Sequence, residues 1–103
     1  MVITTEIKEL ATQVPFVPIA TVSNEGTPHL IVVGKVKEVR DDDVVVFGVY
    51  KMESTQANIK ANGVMQVVFV TTADGPKGVR LSGKACIEGT ELLFKAEQAE
   101  ALI

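Results

Sequence analysis

The segment from Gly48 to Val70 constrains the fold most, because an apolar strand leads into a short polar helix and then directly into another apolar strand. The first turn of a helix that follows a strand presents backbone N–H groups without helical partners, a simple device for holding a phosphate. Lys51, Ser54 and Thr55 lie at this junction. The segment therefore predicts a phosphate-binding cradle between strand and helix.

Apolar runs separated by turn residues predict five strands along the chain. Asn24 to Thr27 has turn composition and predicts a hairpin. Pro18 restricts the start of its strand to an edge or a bulge, and Gly34 suggests a bulge or a close approach to the backbone. The nearly continuous apolar fourth run is expected to be covered on both faces. The five predicted strands are FVPIATVS, PHLIVVGKVKEV, VVVFGV, VMQVVFVTT and GVRLSGKACIEG.

Helical patterns occur at three places. Thr4 or Thr5 is expected to cap a first helix that Pro15 ends, and Glu53 to Ala61 forms the short helix, ended by Asn62-Gly63. From Thr90, the run ELLFKAEQAEALI has helical propensity and an apolar stripe. We therefore predict a mainly β fold: a small antiparallel barrel with a short helix after the third strand and helices near both termini.

Composition limits the classes of protein that this chain can represent. The 103 residues are expected to form one domain, residues 1–103. The net charge is -3 and the ten basic residues are scattered, which argues against binding to nucleic acid or an anionic membrane. No signal peptide or membrane span is apparent, so we expect a cytoplasmic protein. The 47% hydrophobic content favours a self-association face.

Four passages, in order, resemble the flavin-binding split barrels, the fold of pyridoxamine 5'-phosphate oxidase and of small bacterial FMN-binding proteins. The passages are PIATVSNEGTPHL, VVVFGVYKM, STQANIKANGVMQVVF and GVRLSGKACI, and the resemblance runs from about Phe16 to Ile87. It implies a homodimer that binds FMN in a groove between the subunits, with the phosphate near the short helix. An apolar slot suits the flavin ring and a helix N-terminus suits a phosphate.

The resemblance assigns cofactor contacts to twelve residues. The third strand would lie along the flavin, the helix start would meet the phosphate, and the second strand would flank the ring or the ribityl chain. Arg80 either faces solvent or reaches the partner's cofactor. In chain order, the predicted cofactor-binding residues are Val32, Val33, Gly34, Lys35, Phe47, Gly48, Val49, Tyr50, Lys51, Ser54, Thr55 and Arg80.

Two departures from the family pattern affect this prediction. Family members commonly place Arg or Lys at the start of the short helix, where this chain has Glu53, Ser54 and Thr55. Losing one or two charge-assisted hydrogen bonds would weaken FMN binding by about tenfold to several thousandfold, part of which Lys51 or Lys35 could restore. Many relatives also add a strand after the C-terminal helix, so we expect a more open barrel here or one covered by a partner.

Several residues have a structural and a functional interpretation. His29 lacks an acidic neighbour in sequence and is assigned to structure. Tyr50 fits the flavin or a dimer seam equally well. Cys86 is expected to be a buried small hydrophobe without a redox role. Asp41 to Asp43 form a solvated turn in preference to a metal site, because consecutive acids in an extended chain point in alternate directions.

No side chain is a convincing acid, base or nucleophile, so no catalytic residue and no metal site is assigned. This favours electron or hydride transfer by a bound flavin over a pyridoxamine oxidase, which needs a basic site for the substrate phosphate. Two alternatives remain: a non-catalytic binding or dimerisation module that has lost FMN and holds another ligand or none, and a protein that binds another flavin such as FAD or a deazaflavin. The sequence names no redox partner.

Overall fold

A computed structural model describes all 103 residues as one seven-stranded antiparallel sheet with two helices. The strands follow the order β2-β1-β5-β6-β7-β4-β3, with β2 and β3 left as free edges, so the barrel is not closed. The predicted mainly β split barrel is confirmed. The elements are α1 Thr5–Gln13, β1 Phe16–Val22, β2 Pro28–Gly34, β3 Glu38–Arg40, β4 Val44–Gly48, α2 Glu53–Asn62, β5 Val64–Thr71, β6 Lys77–Glu88 and β7 Glu91–Ala101.

Alternation along the strands separates an inner face from an outer face. Val17 and Ile19 of β1 are buried, and so are Val67 and Phe69 of β5 and Leu81 of β6. Helix α1 packs against β3 and β5, and α2 packs against β1, β5 and β6. The core therefore lies on one side of the sheet, and the helices cover its open parts.

The expectation that β5 is covered on both faces is wrong. Its burial alternates along the strand, and Val64 and Val70 are 39% and 47% exposed. In an antiparallel sheet with a single core, one face packs and the other remains open. The apolar residues on the outer face of β5 are therefore available to another molecule.

The predicted C-terminal helix is also wrong, because residues 91–101 form the strand β7. Leu92, Phe94 and Ala96 are buried at every second position, while β7 pairs with both β6 and β4. Gly89, with φ of +61°, turns the chain from β6 into β7. Pairing on both sides and burial of a period-two stripe outweigh the modest helical propensity of this segment. The segment predicted as a helix thus supplies a strand between β6 and β4, while the sheet stays open at β2 and β3.

The second predicted strand divides into β2 and β3, and this places the short helix after the fourth strand. Gly34 ends β2, pairs in register with Phe16, and has no atom within 4 Å of the position that a Cβ would take. The predicted bulge or close approach at Gly34 is therefore wrong. The irregularity of the sheet lies instead between Ser82 and Gly83 of β6, where the register with β7 shifts.

The cap of α1 and the place of Pro18 agree with their predictions. The Oγ1 atom of Thr4 accepts a hydrogen bond from the N–H of Ile7 at 3.2 Å and caps α1, which ends before Pro15. Pro18 lies where β1 pairs with β2 alone, because β5 joins only from Ile19. Neither helix has the length and apolar composition that crossing a membrane requires.

Asp43 fastens the N-terminal segment to the sheet. Its Oδ1 atom accepts hydrogen bonds from the N–H groups of Val2 at 3.1 Å and Ile3 at 2.9 Å. These two bonds hold the pKa of the Asp43 carboxyl below its ordinary value. The residue has φ of +65°, a left-handed conformation that Asp and Asn adopt more readily than most residues.

We expect Asp43→Ala to lower the free energy of unfolding by about 2 kcal/mol, since it removes the oxygen that accepts both hydrogen bonds and places alanine at positive φ. Asp43→Asn retains one acceptor and the backbone preference, so it should cost less. Because the folded pKa is depressed, the carboxylate stabilises the protein above the unfolded pKa, and this is lost as pH falls through the folded value. Urea unfolding at pH 7 and pH 3 measures both effects; an equal pH response in Asp43→Asn would contradict the assignment.

Candidate functional site

The link between β4 and α2 has an unusual backbone. The N–H of Val49 donates to the carbonyl of Thr90 at 2.8 Å, which fixes the start of the link beside β7. Lys51 and Met52 then have φ of 59° and 49°, two successive non-glycine residues in the left-handed region. Each such residue costs about 1–2 kcal/mol. This strained turn directs the chain into α2.

The first turn of α2 has free backbone donors. The N–H of Gln56 makes the first helical bond, to the carbonyl of Met52 at 2.9 Å, and Met52 gives no side-chain cap. The N–H groups of Glu53, Ser54 and Thr55 donate to no protein acceptor. Together with the positive end of the helix dipole, they form a site that suits an anion.

The two hydroxyl residues of this turn have different environments. Ser54 is exposed, so its Oγ can reach a ligand at the helix end. Thr55 is only 1% exposed, and its Oγ1 atom has no hydrogen-bond partner. A buried hydroxyl without a partner costs about 1–3 kcal/mol. Thr55 would therefore contact an anion at the helix end through its backbone N–H. Its buried hydroxyl remains without a hydrogen-bond partner.

Charged side chains around the turn are sparse. Glu53 is exposed, takes part in no ion pair and does not cap the helix. The Nζ atom of Lys51 lies 5.6 Å from the centroid of the Tyr50 ring and is likewise free of an ion pair. Lys37 is engaged, because its Nζ donates to Oε2 of Glu91 at 2.9 Å and thereby lowers the pKa of that carboxyl. Lys51 is thus the free cation that the chain places next to the turn.

Two asparagines attach α2 to β1. The Nδ2 atom of Asn58 donates to Oγ1 of Thr21 at 3.0 Å, and Nδ2 of Asn62 donates to the carbonyl of Val22 at 2.8 Å. Sequence reasoning missed Thr21, although its position on the buried side of β1 indicates that its hydroxyl needs a partner. These bonds hold the helix, and with it the free N–H groups, against the sheet.

The segment predicted to lie along the flavin, residues 47–50, is only partly accessible. Phe47 is 1% exposed and belongs to the core, whereas Gly48 is exposed and Tyr50 is 79% exposed. Val49 is half-buried. A planar ligand along this segment would lie against Gly48, Val49 and Tyr50. Phe47 would not contact it, because its side chain is buried in the core.

Arg80 and α2 lie on opposite faces of the sheet. Asn58 of α2 bonds to Thr21 on the inner face, whereas Arg80 alternates with the buried Leu81 and pairs with Glu100 of β7 on the outer face. At the end of β2, Val33 is half-buried, while Val32, Gly34 and Lys35 are exposed. One subunit therefore brings together residues 47–55 but cannot direct Arg80 to the same ligand.

Cys86 is exposed, so the prediction that it is buried is wrong. It lies between the half-buried Ala85 and Ile87 on β6 and points outward. The apolar neighbours in sequence suggested burial, but the alternation of the strand places Cys86 with Lys84 on the open face.

An apolar surface, which we call the outer patch, covers the outer face of β1, β2 and β5. Its large side chains are 39% to 71% exposed. The strand register and the alternation of side chains place them on one face of the sheet, where Leu30 and Val32 of β2 lie opposite Ala20 and Pro18 of β1. Exposed apolar surface of this kind is typical of an interaction face. The outer patch consists of Phe16, Leu30, Val32, Val64 and Val70.

The sequence model of the family described as Pyridoxamine 5'-phosphate oxidase matches residues 3–101. Comparison with curated proteins gives no significant match.

Solved structures share the fold at low sequence identity. HupZ from Group A Streptococcus has a TM-score of 0.82 at 22% identity, over 97% of this chain and 94% of that chain. An FMN-binding protein from Syntrophomonas wolfei has a TM-score of 0.77 at 15% identity, over 93% and 83%. HutZ, the heme storage protein from Vibrio cholerae, has a TM-score of 0.69 at 14% identity, over 98% and 95%.

Proposed function

We propose, from the premise that this chain belongs to the pyridoxamine 5'-phosphate oxidase family, that it binds FMN and takes part in electron or hydride transfer. The observation that carries the proposal is the first turn of α2, where Glu53, Ser54 and Thr55 offer backbone N–H groups without acceptors. Three donors at a helix N-terminus suit the phosphate of FMN. The exposed Ser54 hydroxyl and the Lys51 ammonium are the side-chain donors beside them.

A second subunit would complete the site. The outer patch exposes five large apolar side chains, which favours self-association, and Arg80 lies near it on the same face. In a homodimer, Arg80 and the β2 residues of one subunit could then border the flavin held by the α2 turn of the other. This arrangement accounts for predicted site residues that a single chain leaves on different faces.

The flavin would supply the redox chemistry, while the chain binds and orients it. Gly48 and Val49 offer an apolar surface for the ring, and the strained turn at Lys51 and Met52 sets the position of the phosphate donors. The side chains at this site include no acid paired with a base, which favours electron or hydride transfer over proton abstraction.

FMN titration tests the proposal directly. Purified protein should quench the fluorescence of added FMN in a saturable manner, with one flavin per chain at the end point. FAD and a deazaflavin, added in parallel, identify a preference for another flavin. Absence of saturable quenching by all three would contradict flavin binding.

Glu53→Lys should tighten FMN binding by about tenfold, because it replaces a negative charge at the helix N-terminus with a cation of the kind that bonds phosphate. Glu53→Gln, which only removes the negative charge, should give a smaller gain of about two- to fivefold. Riboflavin, which lacks the phosphate, is the matched control ligand and should respond little. Equal gains for riboflavin and FMN would place the phosphate elsewhere.

Heme binding is a second candidate. It is supported by the similarity in fold to the heme storage protein HutZ. The absence of basic side chains from the first turn of α2 weakens the competing phosphate site. Titration with hemin, followed through the Soret band, distinguishes it from flavin binding. A saturable Soret shift that FMN does not compete would support this candidate, and no shift would exclude it.

A further inference from the structure

One residue of α2 holds both residues of the strained turn that precedes the helix. The side chain of Gln56 reaches back, and its Nε2 atom donates to the carbonyl of Lys51 at 2.7 Å. The backbone N–H of the same residue donates to the carbonyl of Met52 at 2.9 Å. We call these two hydrogen bonds the Gln56 clamp. Both residues are therefore tied, through their carbonyl groups, to a single residue.

The turn has few other contacts that could hold it. Lys51 and Met52 have φ of 59° and 49°, a conformation that such residues keep only where the surrounding structure fixes it. The N–H groups of these two residues donate to no protein acceptor. Lys51 is exposed, and Met52 is half-buried against the core. The Gln56 clamp therefore comprises all the hydrogen bonds that the two residues make within the protein.

The conformation of the turn sets the direction of the backbone donors at the start of α2. The free N–H groups of Glu53, Ser54 and Thr55 follow directly after Met52, so a change in the backbone of the turn rotates the segment on which they lie. Loss of the bond to Lys51 would let the turn relax toward negative φ. The three N–H groups would then no longer point together from the helix end.

We propose that Gln56 is the positioning residue of the phosphate site on α2. It acts through the turn and not by contact with the phosphate, because its side-chain donor is directed to the carbonyl of Lys51. Donors that are fixed before the ligand arrives lose less conformational entropy on binding. The role in binding rests on the proposed function, whereas the clamp belongs to the ligand-free protein.

Gln56→Ala removes the side-chain bond and keeps the backbone bond. FMN binding should weaken by about three- to tenfold, as expected for the loss of one hydrogen bond. Riboflavin, which lacks the phosphate, should change in affinity by less than about twofold. Gln13→Ala, the same substitution at the last residue of α1, is the matched control and should leave both affinities unchanged. Equal losses for FMN and riboflavin would show a general effect on the fold and overturn the positioning role.

A double-mutant cycle with Lys51→Gly tests whether Gln56 acts through the strained turn. Glycine adopts positive φ without the penalty that lysine has, so the turn depends less on the clamp. Lys51→Gly also removes a cation and weakens FMN binding, but this loss is common to both variants in that background and cancels. In the Lys51→Gly background, Gln56→Ala should weaken FMN binding by less than about twofold. The same loss in both backgrounds would overturn the proposal.

Amide hydrogen exchange of the ligand-free protein tests the clamp separately from flavin binding. In Gln56→Ala, protection of the amide at position 56 should fall at least about fivefold, because the turn that carries its acceptor is held less firmly. The amides of the last turn of α2 should keep their protection. Unchanged protection at position 56 would overturn the clamp whether or not FMN binds. Reduced protection in a protein that binds no FMN would overturn the proposed function, and with it the role of Gln56 in binding, while the clamp itself would stand.

Discussion

Replacing Gly83 with alanine is expected to destabilise the protein by about 3 kcal/mol or more and to lower its melting temperature by about 10 to 25 °C. A Cβ atom at this position would lie 2.0 Å from the carbonyl oxygen of Lys95 and 3.1 Å from the Cα of Ala96. Both contacts are with the backbone of β7, so no side-chain rotation can relieve them. The strand itself must move at the register shift between Ser82 and Gly83.

Gly34→Ala is the matched control for this prediction. Gly34 is also a strand glycine, but nothing lies within 4 Å of its Cβ position. Its replacement should change stability by less than about 1 kcal/mol, and the sign can be favourable because the unfolded chain loses freedom. Differential scanning calorimetry of both variants provides the measurement. Equal melting temperatures for Gly83→Ala and the parent protein would show that the two strands separate easily at this point.

Placing charges in the outer patch should abolish the proposed dimer. Leu30 and Val32 are 71% and 62% exposed and lie on the same face of β2. Leu30→Glu with Val32→Glu would bury carboxylates without partners in a two-fold interface, and each costs about 3–5 kcal/mol. The dimer dissociation constant should rise at least a thousandfold, and FMN binding should weaken with it.

Analytical ultracentrifugation of both forms measures this effect. The parent protein should sediment with about twice the 11.0 kDa chain mass and the double variant with the chain mass itself. Leu30→Met with Val32→Ile keeps the patch apolar and should remain dimeric. A parent protein that is monomeric at micromolar concentration would remove the shared site, whereas a double variant that is still dimeric would place the interface elsewhere.

Much of the fold could be predicted because local chemistry specifies it. The hydroxyl cap of Thr4, the turn at Asn24 to Thr27 and the glycine after Asn62 each have a short-range physical cause. The strand-to-helix junction was also located correctly, since its apolar and polar runs change abruptly at Gly48 and Glu53. The backbone donors of the candidate site follow from that junction alone.

Residues 91–101 show why the rest could not be predicted. Their composition permits a helix, and their period-two pattern of Leu92, Phe94 and Ala96 permits a strand, with only a small intrinsic difference between the two. Hydrogen bonds to β6 on one side and β4 on the other favour the strand, and these partners are distant in sequence or depend on the sheet order.

The sequence by itself determined the family resemblance, the succession of turns and the helix end that presents free N–H groups. Only the tertiary structure decided that Thr55 is buried without a partner, that Cys86 is exposed, and that Arg80 lies on the face opposite α2. The physical reason is that hydrogen bonding within a turn depends on neighbouring residues, whereas the face of a strand that becomes buried depends on what the whole sheet packs against.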